Sequence, residues 1–597
     1  MVLVIKQSIH LIYPQNPLFL YKFYRMRYLS FVFIALILFS CNSKKTDVPA
    51  DRDSQIRDSI QTVKDQAYNY TQVYSAEMIR NVFEIRGSGN HFRIRDIELY
   101  STEFLPKVYT ENEFFPLWMR HYDSVAKIDE MIDFIAEAEF HGLNPDDYHF
   151  RELKAVRAEA EMNKQLFFEA DYVTRLDILL TDAFFALASH LYYGKTDSDK
   201  LDTIWGIPRD KNKLSFDKQL RVILQGHSIA EGFRRFYSPH PGYEAMVAEA
   251  RRLKDKLGED FTVNVELSRS IKPGDSSDAM ALIKSKLAFL GLYQPDTIFE
   301  SFFYDEKTVV AVKKLQHEFG FNTDGAIGNN TLQALNMPVK KKIEQLYVNM
   351  ERLRWMPDSL EPIYIMVNIA AFNLNVIEGN DTLLSMRTIV GKDARKTPVF
   401  HSQVTYLVLS PSWHVPPTIQ QKDVIPAVIQ NISYLEDKQM LVYDSKGKIV
   451  DPSTVNWKKK GMNYSIKQKP GVHNSLGKVK FMFPNKYNIY LHDTPSRSLF
   501  ARDQRTFSSG CIRVEKPLDL ATLLLSDKPE WDADKIRKAM NAGKESTVVL
   551  RKKIGIYIYY LTAWSTTGGE INYRTDIYDR DAAIEQSLKN KPVKWNI

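Results

Sequence analysis

Cysteine is nearly absent: the 597-residue chain has two, Cys41 and Cys511. So few thiols exclude a fold held by a disulfide framework. Metal-ligand clusters are lacking too. Thirteen histidines are scattered along the chain, and His401, His414 and His473 stand in unrelated contexts without the paired His, Cys or Asp spacing of a zinc site. There is no basic tract interleaved with aromatics, so nucleic acid is not an expected partner. The formal charge of +7 says little, because Lys6, Lys22, Arg25 and Arg27 all fall in an acid-free first 41 residues. The most apolar early run, Phe31 to Phe39, is too short to span a bilayer as a helix. No internal repeat or low-complexity segment is evident.

What is present starts with that early run. Met26-Arg27 opens a short basic region, Phe31 to Phe39 follows, and the run ends Leu38-Phe39-Ser40-Cys41. This arrangement resembles the lipobox of bacterial lipoprotein signal peptides, with translation starting at Met26 or at Met1. The resemblance implies a lipid on Cys41, a membrane anchor (expected in the outer membrane) and a place on the periplasmic side of the cell envelope. Cys511 would then be the sole thiol in an oxidising space.

The whole chain, 597 residues with 44% hydrophobic and 26% charged side chains, is too long for one core. Residues 42–75 are polar and read as a flexible tether. Residues 76–270 carry helical spacing, including a run from Leu176 to Leu191 that is apolar almost all round and so central to its domain. His141 and His190 there read as core or helix-end residues. Residues 271–340 form a compact unit: the stripe Met280, Ile283, Leu287, Leu290, a second stripe Val312, Leu315, Phe319, the turn Asp324-Gly325-Ala326-Ile327-Gly328, and a third short helix from Thr331. Residues 341–360 read as a linker helix. After Pro362 the pattern becomes that of short strands split by Gly, Asn and Asp turns, interrupted at 413–471 by a Lys-rich, less regular excursion. The expected class is multidomain α+β.

The chemistry concentrates in Ile489 to Val514, IYLHDTPSRSLFARDQRTFSSGCIRV. His492 ends an apolar run, and Cys511 sits after Gly510 and two residues before Arg513. The histidine and the cysteine are too far apart in sequence to meet on one helix, but a strand ending at His492 and a second element beginning at Cys511 could bring them together. A thiol nucleophile needs a base, oxyanion donors and a means of holding substrate, and the stretch can supply each. The order His-then-Cys argues against papain-like and NlpC-type peptidases. The short gap and missing TLxTC signature argue against sortases.

The stretch resembles the L,D-transpeptidase (YkuD) catalytic domain. Further pieces agree: Pro411-Ser412-Trp413-His414-Val415-Pro416, Lys469-Pro470-Gly471 with Asn474-Ser475-Leu476-Gly477, and Phe483-Pro484-Asn485. Residues 271–340 resemble the small three-helix peptidoglycan-binding domain of cell-wall hydrolases, so the mature chain is similar to the large YcbB-type members. The resemblance implies a helical N-terminal scaffold domain, a three-helix peptidoglycan-binding domain, and a β-rich L,D-transpeptidase domain over 361–597 with a lid-like insertion. It implies Cys511 as nucleophile in its thiolate form, activated by His492, and His492 as base oriented by the Asp493 backbone carbonyl. Gly510 and Cys511 would offer oxyanion N–H groups, and Arg513 would hold a substrate anion or brace the loop. Trp413, Ser509, Asn474 and Tyr406 are the expected substrate contacts. Ser509 stands where the family's general signature has a second histidine. The implied reaction joins peptidoglycan stems 3→3 with release of D-Ala, without cofactor or metal, in a monomer whose partners are stem peptides and glycan, and carbapenems would trap the thiol. Two alternatives remain open: a silent wall-binding scaffold, and the same acyl-enzyme passing its acyl group to water, a D-amino acid or a protein lysine.

Overall fold

The computed structural model describes residues 50–85, 92–201, 205–208, 214–294, 302–459, 461 and 463–592. The proposed signal peptide and Cys41 lie outside them. The chain divides into two compact units, Met1–Tyr70 and Thr71–Ile597. Among the described residues no helix is long and apolar enough to cross a membrane.

A helix spans Ala50–Arg80, which corrects the reading of 42–75 as a structureless tether. Its polar surface conceals a period. Ile56, Ile60 and Val63 recur at spacings of four and three and stay exposed, the positions that share one face of a helix. Gln61 donates to Asp65 one turn on.

The helical domain is built round Ala170–Tyr193, whose side chains from Tyr172 to Tyr193 are all buried. Two acids in this helix are buried without an ionic partner of the usual surface kind. Asp177 accepts from three successive backbone N–H groups, Leu117, Trp118 and Met119, and from the Tyr109 hydroxyl. Asp182 accepts from the N–H groups of Tyr100 and Ser101 and pairs with His149 at 2.7 Å. Each carboxylate thus replaces water with several donors, as burial of a charge demands. His141 and His190 are buried against the hydroxyls of Tyr243 and Tyr148.

Three helices, Ala279–Phe289, Glu306–Phe319 and Asn329–Leu335, enclose a small core of Met280, Ile283, Leu287, Val312, Leu315 and Ile327. The Asp324-Gly325-Ala326 turn is held by the Gln316 amide, which donates to Asp324 and the Ala326 carbonyl and accepts from Gly325 N–H.

A bridging helix, Val339–Arg354, joins everything else. Arg354 and Glu351 form a wholly buried pair at 2.7 Å. Arg354 also donates to Tyr243 and to the His141 carbonyl. Glu351 accepts from Thr196 N–H and Oγ1. On the other side Asn349 bonds Thr562, and Arg352 bonds Asp581. One helix therefore clamps the helical domain to the C-terminal domain through buried polar contacts.

The C-terminal domain is built on a ten-stranded sheet that curls on itself, two of whose strands lie outside the order below: Thr506–Ser508, paired with Asp381–Gly391, and Trp205–Gly206 from the helical half, paired with Val399–Leu409. The strands run in the order Val479–Met482, Leu491–His492, Ile512–Val514, Asp381–Gly391, Asn373–Glu378, Ile363–Asn368, Ser546–Tyr559, Val399–Leu409. Val399–Leu409 also pairs with Val479–Met482, which closes the ring. Ser546–Tyr559 is a single long strand, irregular between Val549 and Ile554. The 413–471 insertion is more regular than its sequence suggests. It forms an antiparallel sheet of Ile449–Val450, Met440–Tyr443, Ser465–Gln468 and Trp413–His414, packed on Val415, Val424, Val428, Leu435, Val442 and Ile466.

Candidate active site

Strand pairing collapses the sequence gap between His492 and Cys511. Leu491–His492 runs parallel to Ile512–Val514, with Leu491 opposite Ile512 and His492 opposite Arg513. Ile512 N–H donates to the Tyr490 carbonyl at 3.2 Å, which sets Cys511 beside Tyr490. On the other flank Phe481 faces Leu491 and Lys480 faces His492. Leu407, Phe481, Leu491 and Ile512 form one cross-strand row, all fully buried in the barrel core. Because side chains alternate along strands, the rows on either side point the opposite way. One is Val408, Lys480, His492, Arg513. The other is Tyr406, Met482, Tyr490, Cys511.

Tyr490 was not foreseen, although the signal was there: it lies two residues before His492 in a strand and so must share its face. Its ring stands 5.7 Å from that of His492 at 60°, and its phenol favours ionisation of the Cys511 thiol, whose own hydrogen-bond acceptor is the Asn488 carbonyl at 3.8 Å. Burial and the neighbouring thiol hold the phenol far above its ordinary range.

His492 is buried, with Nδ1 2.6 Å from the Asp493 carbonyl. A carbonyl can only accept, so Nδ1 carries the proton and Nε2 keeps its lone pair. Asp493 is itself fixed, its carboxylate accepting from Lys478 N–H and Arg497.

The turn before the cysteine is braced from beneath. Gly510 has φ +112, a conformation that strains any residue with a Cβ. Its carbonyl accepts from Thr397 Oγ1 at 2.8 Å. Thr397 N–H in turn donates to the Tyr578 hydroxyl, which donates to the Gly391 carbonyl. Gly510 N–H is engaged by Ser508 Oγ at 3.1 Å, which corrects its expected role as an oxyanion donor. Cys511 N–H has no acceptor among the described residues.

Electrostatics correct a second expectation, the resting thiolate. Burial drives His492 down to about 3, and the Arg513 cation pushes the same way against the carbonyls of Asp493 and Leu476. Burial drives the Cys511 thiol up to about 11, more than Tyr490 and Arg513 offset. At neutral pH the pair is therefore thiol and neutral imidazole, because neither ion is solvated well enough to form in advance. Arg513 is a cation with no acid on it, and its buried Nε has no partner.

The other expected contacts separate. Asn474 is buried, donating to the carbonyls of Pro411 and Lys469 and accepting from Leu476 N–H. Every polar atom is spent on backbone, so it shapes the loop and cannot bind substrate. Trp413 packs partly into the insertion's own core. Tyr406 stands on the site's face, two strands from Tyr490. Ser509 is exposed, and its Oγ accepts at 2.6 Å from Arg395, which also pairs with Asp423 of the insertion at 2.6 Å.

Residues 362–549 match the model of the L,D-transpeptidase catalytic domain, YkuD. The chain carries an L,D-transpeptidase domain. Ahead of it, residues 276–335 match a family described as a putative peptidoglycan binding domain, and residues 103–249 match a scaffold domain. A Haemophilus influenzae protein described as a putative L,D-transpeptidase is 34% identical over 274 residues, 45% of this chain and 54% of that protein. The chain thus spans about half the length of that curated relative. Among solved structures, an L,D-transpeptidase from Stackebrandtia nassauensis is 14% identical over 50% of this chain and 96% of its own, with a TM-score of 0.19. One from Xylanimonas cellulosilytica is 12% identical over 50% and 100%, with a TM-score of 0.17. The matched L,D-transpeptidase segment contains both cross-strand rows and the whole insertion.

Proposed function

We propose that this protein is a peptidoglycan L,D-transpeptidase in which Cys511 is the nucleophile and His492 the general base. The observation that carries the reading is the shared site: His492 and Arg513 stand opposite each other on adjacent strands, Tyr490 and Cys511 come immediately before those strands, and Leu491 and Ile512 fill the core. Cys511 sulfur attacks the carbonyl at the L-centre of the third-position diamino acid of a tetrapeptide stem as its proton passes to His492 Nε2. Transfer accompanies attack, since the resting thiol is neutral. Cys511 N–H is the donor suited to the oxyanion, a contact whose loss typically costs ~3 kcal/mol. His492 then returns the proton to the departing D-Ala amine, leaving a thioester. A side-chain amine from a second stem attacks the thioester, losing its proton through His492, and restores the thiol with a 3→3 cross-link. Arg513 suits a stem carboxylate better than a loop brace, because no protein acid occupies it.

The 276–335 domain supports peptidoglycan as the partner, and the 103–249 scaffold together with the bridging helix holds that domain and the barrel in one body. The lipobox-like Leu38-Phe39-Ser40-Cys41 supports a lipid anchor and the cell envelope as the site of action, with the outer membrane as the anchor's destination. The test is Cys511→Ala on tetrapeptide muropeptides. Loss of dimers and of the D-Ala-released thioester adduct is expected; undiminished dimer formation would sink the assignment. The same variant should lose the adduct that a carbapenem leaves on the wild-type thiol.

A further inference from the structure

The acyl-transfer steps leave one cation of the site without a task. Lys480 stands directly across the sheet from His492, on the same face. It is partly buried, and burial pulls its ammonium below the ordinary lysine range while Glu545 opposes the shift. Among the described residues it forms neither an ion pair nor a hydrogen bond.

The insertion faces it with more positive charge. His414 and Lys467 are paired across the insertion's strands. Lys467 and Lys480 both depress the His414 imidazole, secondary to its burial, and both hold the Glu545 carboxyl down alongside its hydrogen bonds to Ser412. The four groups therefore form one electrostatic cluster across the boundary between insertion and barrel. Glu545 does not neutralise it, because its carboxylate is committed to Ser412 N–H at 2.7 Å and Ser412 Oγ at 2.8 Å. Beyond His492 lies the unpaired Arg513. Withdrawing an ammonium from water without a counterion is unfavourable, and such a group beside a reacting centre is poised for an anion from outside.

We propose that Lys480, with Lys467 across the insertion boundary, forms a carboxylate subsite that selects peptide stems bearing a free carboxylate close to the reacting amide. The inference rests on the acyl-transfer reading and deepens it. Half of the subsite belongs to the barrel and half to the insertion.

The chemistry is shared by three carboxylates: the donor's C-terminus, the donor's diamino-acid side chain, and that of an acceptor. Acylation of the full chain is followed by intact mass with a tetrapeptide, its C-terminal amide and its side-chain amide; transfer from the preformed thioester is followed with acid and amide acceptors. In wild type one of these amides should react at least tenfold more slowly than the acid, and which one identifies the carboxylate. Lys480→Met should lose that preference, Lys467→Met should weaken it, and Lys480→Arg should keep it. A preference equally strong in Lys480→Met, or none in wild type, overturns the subsite. A wild type that is acylated by none of the peptides overturns the acyl-transfer reading itself, and the subsite with it.

Discussion

Two regions of this molecule bury polar groups, and they treat them oppositely. Around the bridging helix the charges that tie the domains together have partners: Arg354 with Glu351, Tyr243 and the His141 carbonyl, Arg352 with Asp581, Asn349 with Thr562, although Arg352 Nη2 is left over and Lys342 lies against the Phe319 and Tyr573 rings. On the barrel face Arg513 and Lys480 have none, and the thiol and imidazole have both been driven to their neutral forms. A satisfied network specifies one arrangement of domains. An unsatisfied set stores interaction for something that arrives later. The contrast separates structural from functional polarity: the Arg354–Glu351 pair is wholly buried, while Lys480, Cys511 and Arg513 keep part of their surface.

The comparison can be broken from either side. The largest effect belongs to Cys511→Ala, which should lower acyl-enzyme formation by more than about a thousandfold while leaving the melting temperature within a few degrees. A large loss of stability would place Cys511 with the structural set. Arg354→Met should do the reverse, leaving Glu351 buried and unpaired at a cost of about 3–5 kcal/mol, read from denaturant unfolding, with the specific activity of the folded fraction little changed. Tyr490→Phe removes the hydroxyl that favours ionisation of the thiol and should lower the acylation rate about tenfold, the size of one hydrogen bond to a charged group, at unchanged substrate KM.

The pH dependence sharpens the point. With His492 titrating near 3 and Cys511 near 11, acylation kcat/KM should be flat from about pH 5 to 9; a limb near 6.5 would contradict the neutral pair. Stability carries the matching sign. His492 has a folded pKa below its unfolded value, so the unfolded chain takes up the proton first as pH falls through about 6.5. Its contribution is then lost progressively down to about 3, and burial of His141 and His190 adds in the same direction. The smallest effect is expected from Ser509→Ala. It removes only an exposed acceptor of Arg395 and should change acylation less than about threefold, since Asp423 still holds that guanidinium.

Alternation and turn chemistry made much of this legible. The apolar run before His492 read as a strand because Ile489 and Leu491 face inward at spacing two, and the three-helix unit read correctly from its two stripes and the DGAIG turn. What stayed hidden depends on tertiary neighbours. Gly510 looked like an oxyanion donor because nothing in sequence says that Ser508 Oγ folds back onto its N–H. Asn474 looked like a polar contact because its backbone acceptors at Pro411 and Lys469 lie in two different segments. The thiolate expectation considered a nearby cation and omitted desolvation, which outweighs it here. The insertion read as irregular because its strands are two to four residues long and pair out of sequence order. The helix from Ala50 was missed because its apolar seam is thin amid charged residues.

The Tyr578 hydroxyl beneath the cysteine turn bears on timing. Gly391, Thr397 and the turn at Gly510 all leave the ribosome before Tyr578 does, so for an interval the growing chain holds its thiol on an unpropped loop. A nascent or clipped chain without Tyr578 would display the reactive sequence in full while lacking the hydroxyl that ties Thr397 to Gly391 beneath its turn.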